Sequence, residues 1–283
     1  MLKLSMNVAT TFHGNIVNDI RIAKEAGFSG IELQTPKPSR YLDAGFTPES
    51  LLPHLEGLTV TGVGAVLDAE RDGSGRDDFL AEIERLSHVA AVLGAPIVQV
   101  CTGPVSWDVV KDFRAGRLAD DDPRYRGTLG STDAEALSAV ARNVRAAADI
   151  AADHGVGLFL EPLAWSNVNR LSQGLRIIEE AGRDNVTMCV DFWHFWTTGD
   201  TLEEVAALPR EVIGMVHVCD GLDLATAPAV SRGAVVVERV RRRVARAGGR
   251  CGSPGCGSPP RGARANGPWS RGRRATRRRT RGR

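Results

Sequence analysis

Short apolar runs alternate with longer segments of helical periodicity over the first 223 residues. An apolar run of four to eight residues bounded by turn residues predicts a buried strand, and apolar positions spaced three and four apart predict a helix. The predicted strands are residues 2–8, 30–34, 58–66, 97–101, 157–161, 187–191 and 213–218. The predicted helices are residues 16–26, 48–55, 77–93, 132–154, 172–181 and 202–208. This alternation indicates βαβ units and a parallel sheet, so the predicted fold class is α/β.

The ends of several predicted helices carry recognisable signals. Thr132 can cap its helix, and Glu135 is placed to complete a capping box with it. Glycines follow the ends of four helical segments, as is common where a helix stops before a strand, at positions 27, 94, 155 and 182. The rhythm of helix, glycine and strand therefore recurs along the chain.

One connection, residues 102–130, is much longer than the others. It is rich in Asp, Arg and Gly, contains Trp107, and follows the fourth predicted strand. Loops of this length in a compact domain often cover or line a binding site. We consider two interpretations equally, a lid or binding loop and a solvated excursion without a role.

The composition changes abruptly after Asp223. From Leu224 onward there are 17 arginines, no lysine and one acid, Glu238, so this tail carries +16 and residues 1–223 carry −14. Residues 250–257, where an eighth strand is due, contain no apolar run. We predict a domain over residues 1–223 and an Arg/Gly/Pro-rich tail over 224–283, with one helix at 235–247 and disorder elsewhere. The restricted set of residue types in the tail suggests the hypothesis of an out-of-frame gene end.

Length and the remaining composition limit the class of protein. A chain of 283 residues can form one large α/β domain, and such barrels often have about 250 residues. No apolar stretch reaches the roughly 18–20 residues that cross a bilayer, and the N-terminal apolar run is too short for a signal peptide. We therefore expect a cytoplasmic protein. The five cysteines are not closely spaced and are expected to be reduced thiols.

Polar residues end three consecutive predicted strands. Glu161 ends the fifth strand, Asp191 ends the sixth with His194 three residues later, and His217 lies in the seventh. In a parallel barrel these strand ends open into one pocket. Carboxylates clustered in such a pocket are costly unless a cation neutralises them, and this set of oxygen and nitrogen ligands suits Mn²⁺, Mg²⁺, Co²⁺ or Zn²⁺. For His217 a buried core histidine is the alternative, but strand alternation places it on the inward face.

The segments LFLEPL, VDFWH and MVHVCDG, in this order and spacing, resemble the motifs of the xylose-isomerase-like TIM barrels, which include sugar phosphate isomerases and epimerases. The resemblance spans residues 2–223. It implies a TIM (β/α)8-type barrel, here incomplete, with seven recognisable strands and the eighth missing. It also implies that Glu161, Asp191 and His217 are metal ligands, that Glu161 is the catalytic acid/base, and that His194 binds substrate. The family's fourth ligand, a glutamate on strand eight, has no counterpart, because Glu238 comes too early in the chain.

The resemblance implies a divalent-metal-dependent isomerase or epimerase of carbohydrate metabolism. Such an enzyme transfers a proton next to a carbonyl through a metal-stabilised ene-diolate. Two alternatives remain open, a dehydratase of the inosose or dehydroshikimate type on the same barrel and a catalytically impaired remnant that lacks the strand-eight glutamate. A DNA-repair endonuclease is not expected, because the early strands lack the additional histidines of that group.

Further contacts with a substrate are predicted from position alone. Glu32 ends the second strand and is either a substrate contact or part of a salt bridge, while Trp107 and Trp165 follow the fourth and fifth strands. No dinucleotide or P-loop motif is present, so no cofactor other than the metal is expected. The expected partner is a small sugar or polyol, and a homo-oligomer could form by strand exchange. The arginine-rich tail lacks interleaved aromatic residues, and we do not expect it to bind nucleic acid.

Overall fold

The computed structural model describes residues 4–119, 122, 124–125 and 127–219. Within these residues seven parallel strands form one sheet in the order β1 to β7, each paired with the next along the chain. The strands are β1 Ser5–Asn7, β2 Gly30–Gln34, β3 Thr59–Val66, β4 Ile97–Cys101, β5 Gly157–Glu161, β6 Val186–Asp191 and β7 Ile213–His217. All seven predicted strands are confirmed. The predicted tail and its helix at 235–247 lie outside the described residues.

Helices connect the strands in the alternation that the sequence predicts. They are α1 Ile16–Glu25, α2 Lys37–Asp43, α3 Leu52–Leu55, α4 Gly73–Val92, α5 Trp107–Arg114, α6 Asp133–Asp153, α7 Leu171–Ala181, α8 Phe192–Thr198 and α9 Leu202–Ala206. Short 3-10 turns lie at Val8–Thr11, Pro48–Leu51 and Arg210–Val212. The capping box of Thr132 and Glu135 at the start of α6 is present. In the described part of the chain, no helix is long and apolar enough to cross a membrane.

Three helices were not predicted. α2 contains a proline, α5 lies inside the long connection after β4, and α8 follows β6 directly. α4 also begins four residues earlier than predicted, at Gly73. The prediction missed this first turn because its sequence, Gly73–Ser74–Gly75, has low helix propensity. α2 packs against β2 and α8 packs against β6, in each case the strand that precedes the helix.

The sheet curls on itself. Glu32 on β2 lies only 2.9 Å from His217 on β7, although four strands separate β2 from β7 in the sheet order. Over the described residues the sheet is therefore an incomplete TIM barrel, as predicted. Among the described residues nothing pairs with the outer edge of β7, and Val216 and Val218 near that edge are 47% and 77% exposed.

The main core lies between the outer face of the sheet and the helices. Outward-facing strand residues such as Leu33, Leu158 and Leu160 are fully buried there. On the inner face Phe159 is fully buried, with its ring edge-to-face against His217. Because side chains alternate along a strand, Phe159 and Glu161 point to the same side, so Phe159 forms an apolar floor beneath the Glu161 carboxylate.

A buried ion pair secures the start of the barrel. Lys37 at the start of α2 lies 2.6 Å from Asp19 of α1, and both side chains are almost completely excluded from solvent. The Lys37 ammonium also donates to the backbone carbonyls of Val8 and Thr11 in the turn after β1. These contacts fix the short β1 strand and its turn against the neighbouring βα unit.

Candidate metal and proton-transfer site

Glu161 at the end of β5 is the centre of the cluster. Its side chain is buried, and Gln99 on β4 donates a hydrogen bond to Oε2. Oε1 lies 3.2 Å from Nδ1 of His217 and 3.9 Å from Nε2 of His194. Burial raises the pKa of this carboxyl, but the hydrogen bond from His217 and the neighbouring imidazoles outweigh that effect and lower the pKa below its usual value. Glu161 is therefore an anion inside an apolar barrel.

His217 on β7 stands between carboxylates on opposite sides of its ring. Nε2 lies 2.9 Å from Oε2 of Glu32, while Nδ1 faces Glu161 at 3.2 Å and Oδ2 of Asp191 at 3.7 Å. Burial lowers the pKa of this imidazole, but hydrogen bonds to Cys189, Glu161 and Glu32 raise it well above its usual range. In the absence of a metal cation, the imidazolium is the positive charge that balances these acids.

Asp191 has two tasks, one for each oxygen. Oδ1 accepts the backbone N–H groups of Trp193 and His194 at 2.8 and 2.9 Å, which makes Asp191 the N-cap of α8. Oδ2 points toward His217. The cap fixes the carboxylate at the rim of the barrel, and it also explains why a helix begins immediately after β6.

His194 is held in one tautomer. Its Nδ1 accepts the backbone N–H of Ala164 at 3.1 Å, so in the neutral ring the proton is on Nε2. That Nε2–H group points toward Glu161 and the centre of the barrel mouth. The ring packs edge-to-face against Trp165 and Trp193, with centroids 5.4 and 5.0 Å away. His194 therefore presents a hydrogen-bond donor, not a lone pair.

The two tryptophans predicted as substrate contacts lie in different surroundings. Trp165 packs on His194, and its buried Nε1–H has no hydrogen-bond partner in the described residues. Trp107 begins α5, where Arg114 stacks over its ring at 5.5 Å. No hydrogen bond or ring contact within the described part of the chain joins Trp107 to the cluster.

A side-chain network supports the cluster from below, and it includes one residue that sequence reasoning missed. The Gln34 amide donates to Oε1 of Glu32 at 3.1 Å and to Oε1 of Gln99, whose own amide donates to Glu161. The sequence pattern could have indicated Gln34, because this residue lies two positions after Glu32 and therefore faces the same side of β2.

A second acidic group lies at the end of β3 and was not predicted. Glu70 is almost completely buried, next to Asp68, and accepts a hydrogen bond from the Tyr125 hydroxyl at 3.1 Å. Burial, and then the negative charge of Asp68, raise the pKa of Glu70 to about 7. Both carboxylates pack around Gly103, where a side chain would collide with them. No motif distinguishes Glu70, because its hydrogen-bond partner Tyr125 lies 55 residues later in the chain.

The donor atoms are spaced as the ligands of one cation. Two sets have ligand atoms within 4.8 Å of one another, Glu161 with Cys189 and His217, and Glu161 with Asp191 and His194. Ligands at about 2.1 Å from a cation lie about 3.0–4.2 Å apart, which matches the 3.2 and 3.7 Å from His217 to the two acids. The Nε2 proton makes His194 a poor ligand. Burial, and then Glu161, raise the pKa of the Cys189 thiol, so it remains protonated. Of the three predicted ligands, Glu161 is common to both sets, His217 belongs to the first set and Asp191 belongs to the second.

Comparison with known proteins gives a consistent result. The family model described as "Xylose isomerase-like TIM barrel" matches residues 20–258. An inosose isomerase of Bacillus velezensis is 25% identical over 230 residues, covering 78% of this chain and 74% of that protein. A 3-dehydro-D-guloside 4-epimerase of Escherichia coli is 26% identical over 229 residues, covering 77% and 79%. The crystal structure of the IolI protein with a bound zinc atom superimposes with a TM-score of 0.65 at 22% identity, covering 79% and 74%. The two relatives named for an activity are an isomerase and an epimerase, and they confirm the expectation of an enzyme of that kind.

Proposed function

Because the chain belongs to the xylose isomerase-like TIM barrel family, we propose that it is a divalent-metal-dependent isomerase or epimerase of a small keto sugar or keto polyol. One observation carries the proposal, the buried Glu161 carboxylate, whose Oε2 is held by Gln99 while Oε1 lies 3.2 Å from His217 and 3.9 Å from His194. A fixed, desolvated carboxylate of this kind suits removal of a proton from carbon next to a carbonyl.

The residues around Glu161 supply complementary functions. The Nε2–H of His194, 3.9 Å from Glu161, is positioned to hold a substrate oxygen beside the reacting carbon. The free Nε1–H of Trp165 offers a second donor next to it. The rings of Trp165 and Trp193 exclude water on this side, which strengthens the polar contacts. A hydroxylated ring with adjacent oxygens, such as an inosose, suits this pattern of donors.

The cation would be held by Glu161, Asp191 and His217. When bound, it would neutralise the converging carboxylates and polarise the substrate carbonyl. Mn²⁺, Mg²⁺, Co²⁺ and Zn²⁺ all accept such oxygen and imidazole ligands, and the choice among them is left to titration.

Epimerisation requires a second acid/base on the opposite face of the substrate. The family's glutamate for this task lies on the eighth strand, and no residue of this sequence matches it. Glu161 alone can remove and return a proton on one face. We therefore expect exchange of the substrate proton with solvent to be faster than net inversion.

NMR in D₂O tests this proposal with inososes and 3-keto-glycosides as substrates and Mn²⁺ or Zn²⁺ present. The expected result is loss of the signal from the carbon-bound proton next to the carbonyl. Glu161→Gln should lower that exchange rate about 10²- to 10⁴-fold, while Glu56→Gln on the exposed surface should not change it. Exchange that is equal in native protein and Glu161→Gln would refute the role of Glu161. The same spectra would reveal a dehydrated product, which would instead support the dehydratase alternative.

A further inference from the structure

Both oxygens of Glu32 are engaged by side chains of the described residues. Oε1 lies 3.1 Å from the Gln34 amide and 3.2 Å from Nε2 of His217, and Oε2 lies 2.9 Å from the same Nε2. The side chain is 3% exposed. This carboxylate has no free oxygen directed at the barrel mouth, which makes a direct contact with substrate a poor explanation for it.

We propose that Glu32 is a positioning residue, which holds Nε2–H of His217 so that Nδ1 is the atom presented to a cation beside Glu161 and Asp191. The inference rests on the proposed function, because it assigns a task within the same metal site. It also replaces a substrate contact as the role of Glu32.

The two nitrogens of an imidazole differ only in their surroundings, so a partner must select which one binds metal. A carboxylate that accepts the proton of one nitrogen fixes both the tautomer and the ring orientation, and makes the other nitrogen more basic. In His217 the nitrogen facing Glu32 is 2.9 Å from its acceptor, while the opposite nitrogen is 3.2 and 3.7 Å from the two acids proposed as ligands. Nδ1 is therefore the nitrogen that lies among the ligands.

Glu32 is itself held by the chain of amides beneath the site. Gln34 donates to Glu32 and to Gln99, and Gln99 donates to Glu161. With His217 these side chains form a closed ring of hydrogen bonds across β2, β4, β5 and β7. The ring orients Glu161 and His217 together, although Gln34, Gln99 and Glu32 bind no cation in the proposed arrangement.

Zinc calorimetry on three variants tests the proposal. Glu32→Ala removes the acceptor and should weaken Zn²⁺ affinity about 10- to 100-fold, the usual cost of losing a partner of a ligating histidine. Glu32→Gln keeps a carbonyl oxygen that can accept the proton, so its Zn²⁺ affinity should fall less than that of Glu32→Ala. Glu70→Gln is the matched control, since Glu70 is a buried glutamate beyond the end of β3 that has no contact with His217. Zn²⁺ affinity in folded Glu32→Ala equal to that of native protein would overturn the proposal.

Imidazole NMR on ¹⁵N-histidine-labelled protein gives a second readout, and its zinc-loaded part does not require Glu32→Ala to fold. In the zinc-loaded native protein His217 should carry its proton on Nε2 and have Nδ1 ligated, with the signal assigned by its loss in His217→Gln. Ligation through Nε2 would refute the proposal. If the native protein binds no Zn²⁺, the proposed metal function fails. The metal-free spectrum still tests whether Glu32 holds Nε2–H of His217. A slowly exchanging Nε2–H in native protein that is lost in Glu32→Ala supports it, and an Nε2–H that exchanges equally fast in both overturns it.

Discussion

Substitution of Glu70 by glutamine should make the protein more stable at neutral and alkaline pH. The pKa of this carboxyl rises from 4.5 to about 7 on folding, because the group is buried beside Asp68. Between these values the folded state holds one proton more than the unfolded state, so the free energy of unfolding falls as pH rises through this window. A pKa difference of this size corresponds to about 3 kcal/mol, and the loss is complete above about pH 7. The amide of Glu70→Gln has no charge to bury and can still accept the hydrogen bond from Tyr125.

Urea denaturation at several pH values from 4 to 9, followed by tryptophan fluorescence, measures this effect. The free energy of unfolding of Glu70→Gln minus that of native protein should increase by about 3 kcal/mol from pH 4 to pH 8, with most of the change between pH 4.5 and 7. Groups that titrate in the same way in both proteins contribute equally to the two free energies of unfolding, so their contributions cancel in this difference. Glu56→Gln, on the exposed surface, should show a difference that is independent of pH. A constant difference for Glu70→Gln would mean that Glu70 ionises normally in the folded protein.

Two further substitutions test the account of the fold by urea denaturation. Lys37→Met should lower the free energy of unfolding by about 3–5 kcal/mol, because it leaves the fully buried Asp19 carboxylate without its partner, and the double variant with Asp19→Asn should recover part of that loss. Recovery of none of it would show that the two side chains do not act as a pair. Thr132→Ala should cost about 1 kcal/mol by removing the capping box of α6, whereas Ser131→Ala just outside the box should cost little. Equal effects at the two positions would argue against the cap.

The strands could be predicted because residues next to each strand in the sequence mark where it begins and ends. β5 follows Gly155, begins at Gly157 and ends at Glu161, and its predicted bounds agree with the structure. α8 could not be predicted from periodicity, because FWHFWTT has no polar face of helical spacing, and its start depends on the cap by Asp191. Short helices of this kind are decided by caps and packing rather than by sequence pattern.

The sequence also predicted which strand ends carry the acids and imidazoles, since carboxyl ends of parallel strands meet at one rim. It could not predict that Glu32 contacts His217, because that distance depends on how far the sheet curls between β2 and β7. The sequence also could not predict the raised pKa of Glu70, because that shift is caused by burial of the side chain in the folded protein and by the nearby charge of Asp68. Contacts between distant segments therefore set the parts of the site that a motif does not reveal.

Calorimetric titration with Mn²⁺ tests the central claim most directly, with native protein compared with Glu161→Ala and with Glu56→Ala as the control. The account predicts that native protein and the control bind one Mn²⁺ per chain with the same affinity, and that Glu161→Ala binds it at least tenfold more weakly because the buried anion shared by both donor sets is lost. Folded native protein that binds no Mn²⁺, or Glu161→Ala that binds it as tightly as native protein, would contradict the claim that Glu161, Asp191 and His217 form a metal site.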